Sequence, residues 1–140
     1  MYIYKNVYDA VAEALGNRTP EYGGVLGAVP GEAISEFYFD EKGKSTAASY
    51  TPDIESINRV LTEDWAERGI LMVGIVHSHA GEGDFPSCGD LYYCEQIMRA
   101  AGIDRFYLPV VTLSPFALHP YEIMIIDGKL NAKKTELNLV

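Results

Sequence analysis

The 140-residue sequence predicts an α/β fold in which a mixed β-sheet is flanked by helices. Two observations carry this prediction. Apolar residues recur at helical spacing in three segments, and shorter apolar runs of the kind found in strands lie between those segments. Glycine and proline residues are spread between the elements and form no linker, so residues 1–140 are predicted to be one domain.

The first half of the chain is predicted to begin with a helix and continue with strands. Apolar residues recur at three- and four-residue steps over residues 4–15, and Gly16 stands where such a helix would end. Residues 22–29 and 33–39 are predicted to be strands joined by a tight turn. Residues 45–50 are predicted to be a third strand.

A second helix is predicted from Thr51, which is a good N-cap residue. Pro52 suits the first helical position, and Asp53 suits the positive end of the helix dipole. Gly69 marks the predicted end. The apolar residues that share one face of this helix are Ile54, Ile57, Leu61 and Trp65.

The second half of the chain is predicted to contain a buried strand, a helix and further strands. Residues 70–77 are apolar on both faces, which is typical of a central strand. A glycine-rich loop leads to a third helix that begins at Ser87. Residues 106–113 and 121–127 are predicted to be strands, and the tail, residues 129–140, to add a short one.

The composition narrows the classes of partner. The formal net charge is −9, and an acidic domain repels the phosphates of nucleic acids and of anionic membrane surfaces. The first residues contain no apolar signal core, and the longest apolar run, residues 70–76, is far too short to cross a bilayer. These features predict a cytoplasmic protein that binds neither nucleic acid nor membranes.

The two cysteines, Cys88 and Cys94, are predicted to be free thiols. On one helix they would lie roughly 9 Å apart along the axis, at about 1.5 Å per residue, which is too far for a disulfide. Free thiols suit a reducing compartment. Cys94 falls on the apolar face of the helix, so a buried thiol is favoured over a zinc ligand.

The residues that could bind a metal ion lie where the predicted central strand ends. His77 and His79 are two residues apart, so their imidazoles point to the same face of a strand and can converge on one ion. Asp90 occupies the third position of a helix whose N-cap is Ser87, and from there its carboxylate can reach back toward the strand end. Three protein ligands and one water form the arrangement of a catalytic zinc site.

Simpler interpretations of these residues stay open at this point. Ser87 and Asp90 have the spacing of a helix cap, in which the carboxylate only favours the helix dipole. His77 and His79 alone could be a structural or surface pair. Glu21 alone could be an exposed carboxylate that precedes a strand.

The whole segment from His77 to Asp90 resembles the signature of the JAMM metalloproteases, also called the JAB or MPN domain family. That signature is His, Ser or Thr, His, seven residues, Ser, two residues and Asp, and it is matched here throughout. The family also has a glutamate before a glycine-rich strand, and residues 21–27, Glu-Tyr-Gly-Gly-Val-Leu-Gly, look similar. One departure is Ala80, where many members have proline.

The resemblance implies a JAB/MPN fold, related to the cytidine deaminases, and roles for five residues. The zinc ligands would be His77, His79 and Asp90. Glu21 would take a proton from water and pass it to the leaving amine, and Ser87 would stabilise the oxyanion or cap the helix. The activity would be zinc-dependent hydrolysis of a peptide or isopeptide bond. The implied partner is a protein or peptide substrate, such as the C-terminal tail of a ubiquitin-like or sulfur-carrier protein.

Two other functions are consistent with such a fold. Some members of the family have lost the ligands and act as interaction scaffolds, but the complete set of residues argues against that loss here. A structural zinc would need four protein ligands, and the motif offers three. Of the remaining polar residues, His119 is expected to be a surface or capping residue between two strands, and Glu82 and Asp84 are expected to be solvated loop charges.

Overall fold

A computed structural model describes residues 1–81 and 83–140. It contains three α-helices, α1 (Lys5–Gly16), α2 (Ile54–Val60) and α3 (Cys88–Ala101). The strands of the described residues are β1 (Tyr2–Ile3), β2 (Gly23–Ala28), β3 (Glu36–Phe39), β4 (Lys44–Ser45), β5 (Tyr50–Thr51), β6 (Leu71–Ser78), β7 (Arg105–Tyr107), β8 (Val110–Thr112), β9 (Ala117–His119), β10 (Tyr121–Ile126), β11 (Lys129–Lys134) and β12 (Asn138–Leu139).

The main sheet is mixed, as the sequence predicts. Its strands follow the order β11-β10-β7-β6-β2-β3, and β8 pairs with the far end of β6 and with β9. The strand β6 is antiparallel to β2 and parallel to both β7 and β8. It is therefore the central strand, and its C-terminal end is supported on both sides.

The two faces of the sheet are covered by different helices. One hydrophobic cluster contains Ile75 of β6 together with Cys94 and Met98 of α3. The other contains the neighbouring residue Val76 together with Val11 of α1. Because side chains alternate along a strand, residues 75 and 77 belong to the α3 side of the sheet. This alternation directs His77 toward α3.

The predicted start of the second helix is wrong. Thr51 lies in β5, where it pairs with Lys44, and the N-cap of α2 is Asp53. The backbone N–H of Asp53 donates to the buried carboxylate of Asp40, at 2.8 Å, and this contact sets where the helix can begin. The helix continues as a π-turn and a 3₁₀-turn and ends at Gly69, whose φ is +69°.

Two predicted strands are divided in the structure. Of residues 45–50, only Ser45 and Tyr50 are in strands, where they pair antiparallel, and residues 46–49 connect β4 and β5 as the turn of a short hairpin. Residues 106–113 form β7 and β8, which are separated at Leu108 and Pro109. Proline has no N–H to donate to a sheet, so the chain leaves one pairing there and resumes another farther along β6.

The ends of the chain meet in a small parallel pair of strands. Tyr2 pairs with Asn138 and Ile3 with Leu139. The tail contains β11 as well as β12, so the prediction of an additional strand there is confirmed. Among the described residues, no helix is both long and apolar enough to span a bilayer.

Candidate metal centre

The C-terminal end of β6 brings the two histidines together. His77 is 3% exposed and lies in the strand, while His79 follows its last residue. The backbone N–H of His79 donates to the carbonyl of Val111, at 2.9 Å, which extends the pairing with β8 beyond the strand. The two Nε2 atoms are 2.8 Å apart. The prediction that both imidazoles share one face is confirmed.

The first turn of α3 brings a carboxylate to the same point. Ser87 is the N-cap, as predicted, and forms a reciprocal capping box with Asp90. The Oδ2 atom of Asp90 lies 3.0 Å from Nε2 of His77 and 3.2 Å from Nε2 of His79. Three ligand atoms from two elements therefore form a compact triangle.

The sides of the triangle, 2.8, 3.0 and 3.2 Å, are somewhat shorter than the spacing of zinc ligands, so the three side chains would have to move slightly apart to hold the ion. Tetrahedral ligands at about 2.0–2.1 Å from zinc lie about 3.3–3.4 Å from one another. Nδ1 of His79 contacts the carbonyl of Gly83, at 3.0 Å, and a carbonyl only accepts hydrogen bonds. In the neutral His79 ring the proton is therefore on Nδ1, and Nε2 carries a lone pair that faces the Asp90 carboxylate. Two facing acceptors need a proton or a metal ion between them.

The electrostatics of the site reflect this need. Burial alone would raise the pKa of Asp90, but hydrogen bonds with His77 and His79 hold that pKa well below its usual range. The hydrogen bond with Asp90 raises the pKa of His79, against the opposing effect of burial. These opposite shifts of the two pKa values favour an ionised Asp90 beside a protonated His79.

Glu21 is the second carboxylate near the imidazoles. Glu21, His77 and His79 each offer one ligand atom, and these atoms lie within 4.8 Å of one another. Among the described residues, the imidazoles hydrogen-bond Asp90, whose Oδ2 is within 3.2 Å of both Nε2 atoms, and not Glu21. Burial raises the pKa of Glu21, although the nearby imidazoles lower it in part.

The β4–β5 hairpin fixes the backbone of Glu21. The N–H of Glu21 donates to the carbonyl of Thr46, at 2.9 Å, and the hydroxyl of Ser45 donates to the carbonyl of Glu21. Tyr50 attaches the hairpin to the rest of the domain, because its hydroxyl donates a hydrogen bond to the buried carboxylate of Asp40, at 2.7 Å. The sequence motif does not point to the hairpin, whose residues lie more than twenty positions from Glu21.

A cavity of about 550 Å³ opens beside these residues. Glu21, His77, His79, Ser87 and Asp90 all line it, so the structure brings together the five site residues that the sequence predicts. The hairpin forms one wall and α3 another. The cavity residues that the sequence did not indicate as part of a site are Ala48, Ser49, Tyr50, Thr51, Pro52, Ile75, Gly81, Gly89, Tyr93 and Leu108.

An ion pair holds the loop between the metal-ligand candidates. Oδ2 of Asp84 lies 3.1 Å from Nζ of Lys134 and 3.4 Å from Nδ1 of His119. Nε2 of His119 contacts the hydroxyl of Thr112, at 2.8 Å. Asp84 is a partly exposed loop charge, as the sequence predicts, but it is paired with Lys134. His119, expected between two strands, lies in β9. Glu82 lies outside the described residues.

Both cysteines are free, as predicted. Cys88 is exposed, whereas Cys94 is buried and its thiol contacts Sδ of Met98 at 3.9 Å. Burial raises the pKa of Cys94 to about 12, which keeps the thiol protonated at neutral pH. A protonated thiol is a poor metal ligand, so the interpretation of Cys94 as a packing residue is supported.

No family model matches this sequence, and no curated protein is similar enough to count as a relative. Its fold does recur among solved structures. The solution structure of protein DSY2949 from Desulfitobacterium hafniense superposes with a TM-score of 0.70 at 17% identity, over 99% of this chain and 93% of that one. At this identity the likeness shows the fold alone, which is an α/β fold with a mixed sheet.

Proposed function

We propose that the chain is a zinc-dependent peptidase of the JAMM type, with a JAB/MPN fold, that hydrolyses a peptide or isopeptide bond. One observation carries the proposal. The Nε2 atoms of His77 and His79 and the Oδ2 atom of Asp90 converge within 3.2 Å of one another, at the rim of a cavity. Two nitrogens and one carboxylate suit zinc better than magnesium or calcium.

His77, His79 and Asp90 would hold the metal. When bound, zinc supplies a Lewis acid that polarises an amide carbonyl and lowers the pKa of water. His79 is prepared for this role because the carbonyl of Gly83 fixes its tautomer, with Nε2 toward the site. Asp90 is prepared because its lowered pKa keeps it ionised.

Glu21 would be the general base. As a water oxygen bonds to the amide carbon, Glu21 accepts the proton that the water loses. It then donates that proton to the nitrogen as the carbon–nitrogen bond breaks. Its raised pKa favours this exchange, because a base works best when its pKa lies closer to the working pH. Glu21 makes no hydrogen bond with either imidazole in the described residues, which leaves its carboxylate available for proton transfer.

Ser87 would act through its hydroxyl. Its Oγ accepts the N–H of Asp90, at 3.0 Å, so the hydroxyl proton stays available. That proton could be donated to the developing oxyanion of the substrate. The substrate would be a flexible protein tail, such as that of a ubiquitin-like or sulfur-carrier protein, in keeping with the resemblance of residues 77–90 to the JAMM signature.

Zinc content is the first test. Protein purified without chelator or metal resin should contain about one zinc per chain by plasma mass spectrometry, and His77→Ala should lose it. Glu21→Gln should keep the zinc and lose hydrolysis of tail peptides. Metal-free protein that takes up no added zinc would overturn the proposal and leave an interaction scaffold as the better account.

A further inference from the structure

We propose that the cavity contains a specificity pocket for an apolar side chain next to the scissile amide. The inference rests on the proposed hydrolysis, which supplies that amide. We call the apolar pocket the part of the cavity that is lined by Tyr50, Pro52, Ile75, Tyr93, Cys94 and Leu108.

The apolar pocket is built on the same two elements as the metal-ligand candidates. Ile75 precedes His77 by two residues on β6, so both side chains belong to one face of the sheet. Tyr93 and Cys94 follow Asp90 by three and four residues on α3, which places them one turn farther along the same side of the helix. A substrate whose scissile amide lies at the metal-ligand candidates would therefore place the side chain next to that amide against the apolar pocket.

The polar ends of two pocket residues are engaged elsewhere. The hydroxyl of Tyr50 donates to the buried carboxylate of Asp40, at 2.7 Å. The thiol of Cys94 contacts Met98, at 3.9 Å, and its raised pKa keeps it uncharged. Neither group is free to bind a polar ligand, so Tyr50 can offer only ring surface to an occupant, and Cys94 is fully buried.

The charges around the cavity also select the occupant. Among the residues that the structure describes, the lining contains no lysine or arginine, and its carboxylates, Glu21 and Asp90, both belong to the candidate metal centre. An acidic side chain would lose its hydration in the apolar pocket without gaining a cationic partner. A glycine would leave the pocket empty. The class that fits is an aliphatic or aromatic side chain, which gains from leaving water.

A panel of matched peptides tests the inference. The residue on each side of the scissile bond is varied among Leu, Phe, Gly and Glu, and kcat/KM is measured with the zinc-loaded protein. One side should favour Leu or Phe over Gly by about 10- to 100-fold, the range for a hydrophobic pocket. The inference would be overturned if kcat/KM were the same for all four residues at each side of the scissile bond, or if Gly or Glu were preferred.

A charge introduced at the wall should change the preference. Thr51 is exposed and lines the cavity, so Thr51→Lys should raise the rate with Glu at the selected side relative to Leu. Thr62→Lys is the matched control, since Thr62 is exposed and does not line the cavity. The control should keep the wild-type preference. An unchanged preference in Thr51→Lys would count against the pocket.

Ligand binding separates this inference from the proposed function. N-acetyl-phenylalaninamide is added to metal-free protein, and the methyl signals of Ile75 and Leu108 are followed by NMR. Shifts with this probe, and none with N-acetyl-glutamate, are expected. If zinc-loaded protein cleaves no peptide while these shifts occur, the hydrolase proposal fails and the apolar pocket stands. If peptides are cleaved while neither signal moves, the pocket inference fails alone.

Discussion

Ser87 and Asp90 cap α3 reciprocally, with Ser87 N–H donating to Asp90 Oδ2 at 2.8 Å and Asp90 N–H donating to Ser87 Oγ at 3.0 Å. The same Oδ2 atom lies 3.0 Å from His77 and 3.2 Å from His79. One carboxylate oxygen therefore makes the cap and faces the imidazoles. The two roles that the Ser-x-x-Asp spacing allows do not exclude each other, and different substitutions should separate them.

Asp90→Asn should weaken zinc binding while it preserves most of the cap. The amide oxygen of asparagine can still accept the Ser87 N–H, but the anionic ligand is lost. We expect zinc affinity, measured by chelator competition, to fall by about 100-fold or more. Ser87→Ala should show the opposite pattern, with zinc retained and about 1 kcal/mol of unfolding free energy lost. Wild-type zinc affinity in Asp90→Asn would mean that the carboxylate is only a cap.

The effect of zinc on stability should grow with pH. The pKa of His79 is raised in the folded protein, so its pairing with Asp90 stabilises fully below the ordinary histidine pKa, about 6.5, and fades as pH rises through the raised value. The pKa of Asp90 is lowered, so its contribution is present above about 3.9 and fades as pH falls through the lowered value.

The imidazole–carboxylate pairing of the metal-free protein is thus strongest between about pH 4 and pH 6.5. Zinc must displace the proton from His79, so the rise in melting temperature on adding zinc should be larger at pH 8 than at pH 5.5. Thermal unfolding in chelator and in zinc at both pH values measures this. An equal zinc effect at both pH values would exclude His79 as a ligand.

The Asp84–Lys134 pair should position His79 from a distance. Asp84 adjoins Gly83, whose carbonyl contacts Nδ1 of His79, and Lys134 holds Asp84 against β11. Asp84→Asn should loosen this carbonyl and reduce zinc affinity by about 10-fold, as for other residues that orient metal ligands. Asp9→Asn is the control, because it also removes one charge and breaks an exposed lysine pair, Lys5–Asp9. Equal zinc affinities in the two variants would contradict this role.

Tyr50→Phe should destabilise the hairpin that holds Glu21. Asp40 is fully buried, and its Oδ1 has no hydrogen-bond partner among the described residues. Losing the Tyr50 hydroxyl would leave only the Asp53 N–H on this carboxylate, at a cost of about 1–3 kcal/mol in urea unfolding.

Hydrogen exchange at the Glu21 N–H should become faster in the same variant, since Thr46 accepts that hydrogen bond from within the hairpin. The control is Tyr92→Phe, which removes a hydroxyl from a residue that is 67% exposed. It should leave both measurements at the wild-type value. Unchanged exchange in Tyr50→Phe would show that Glu21 is held independently of Tyr50.

Local sequence determined the parts of the site that depend on one element. The spacing of His77 and His79 needs only the alternation of a strand, and the Ser87–Asp90 pair needs only the first turn of a helix. Three helices and the central strand follow from periodicity in the same way. Local sequence misplaces the start of α2, because the contact between Asp53 and the buried carboxylate of Asp40 joins residues 13 apart.

Tertiary structure alone decided how these parts meet. Ser78 Oγ accepts the N–H of Tyr22 across 56 residues, which brings the segment after Glu21 to the end of β6. Asp84 meets Lys134 across 50 residues. No periodicity encodes such contacts, because they depend on strand register and on which chain segments are neighbours in the sheet. The sequence thus determined which groups could carry chemistry, and packing decided which of them share one cavity.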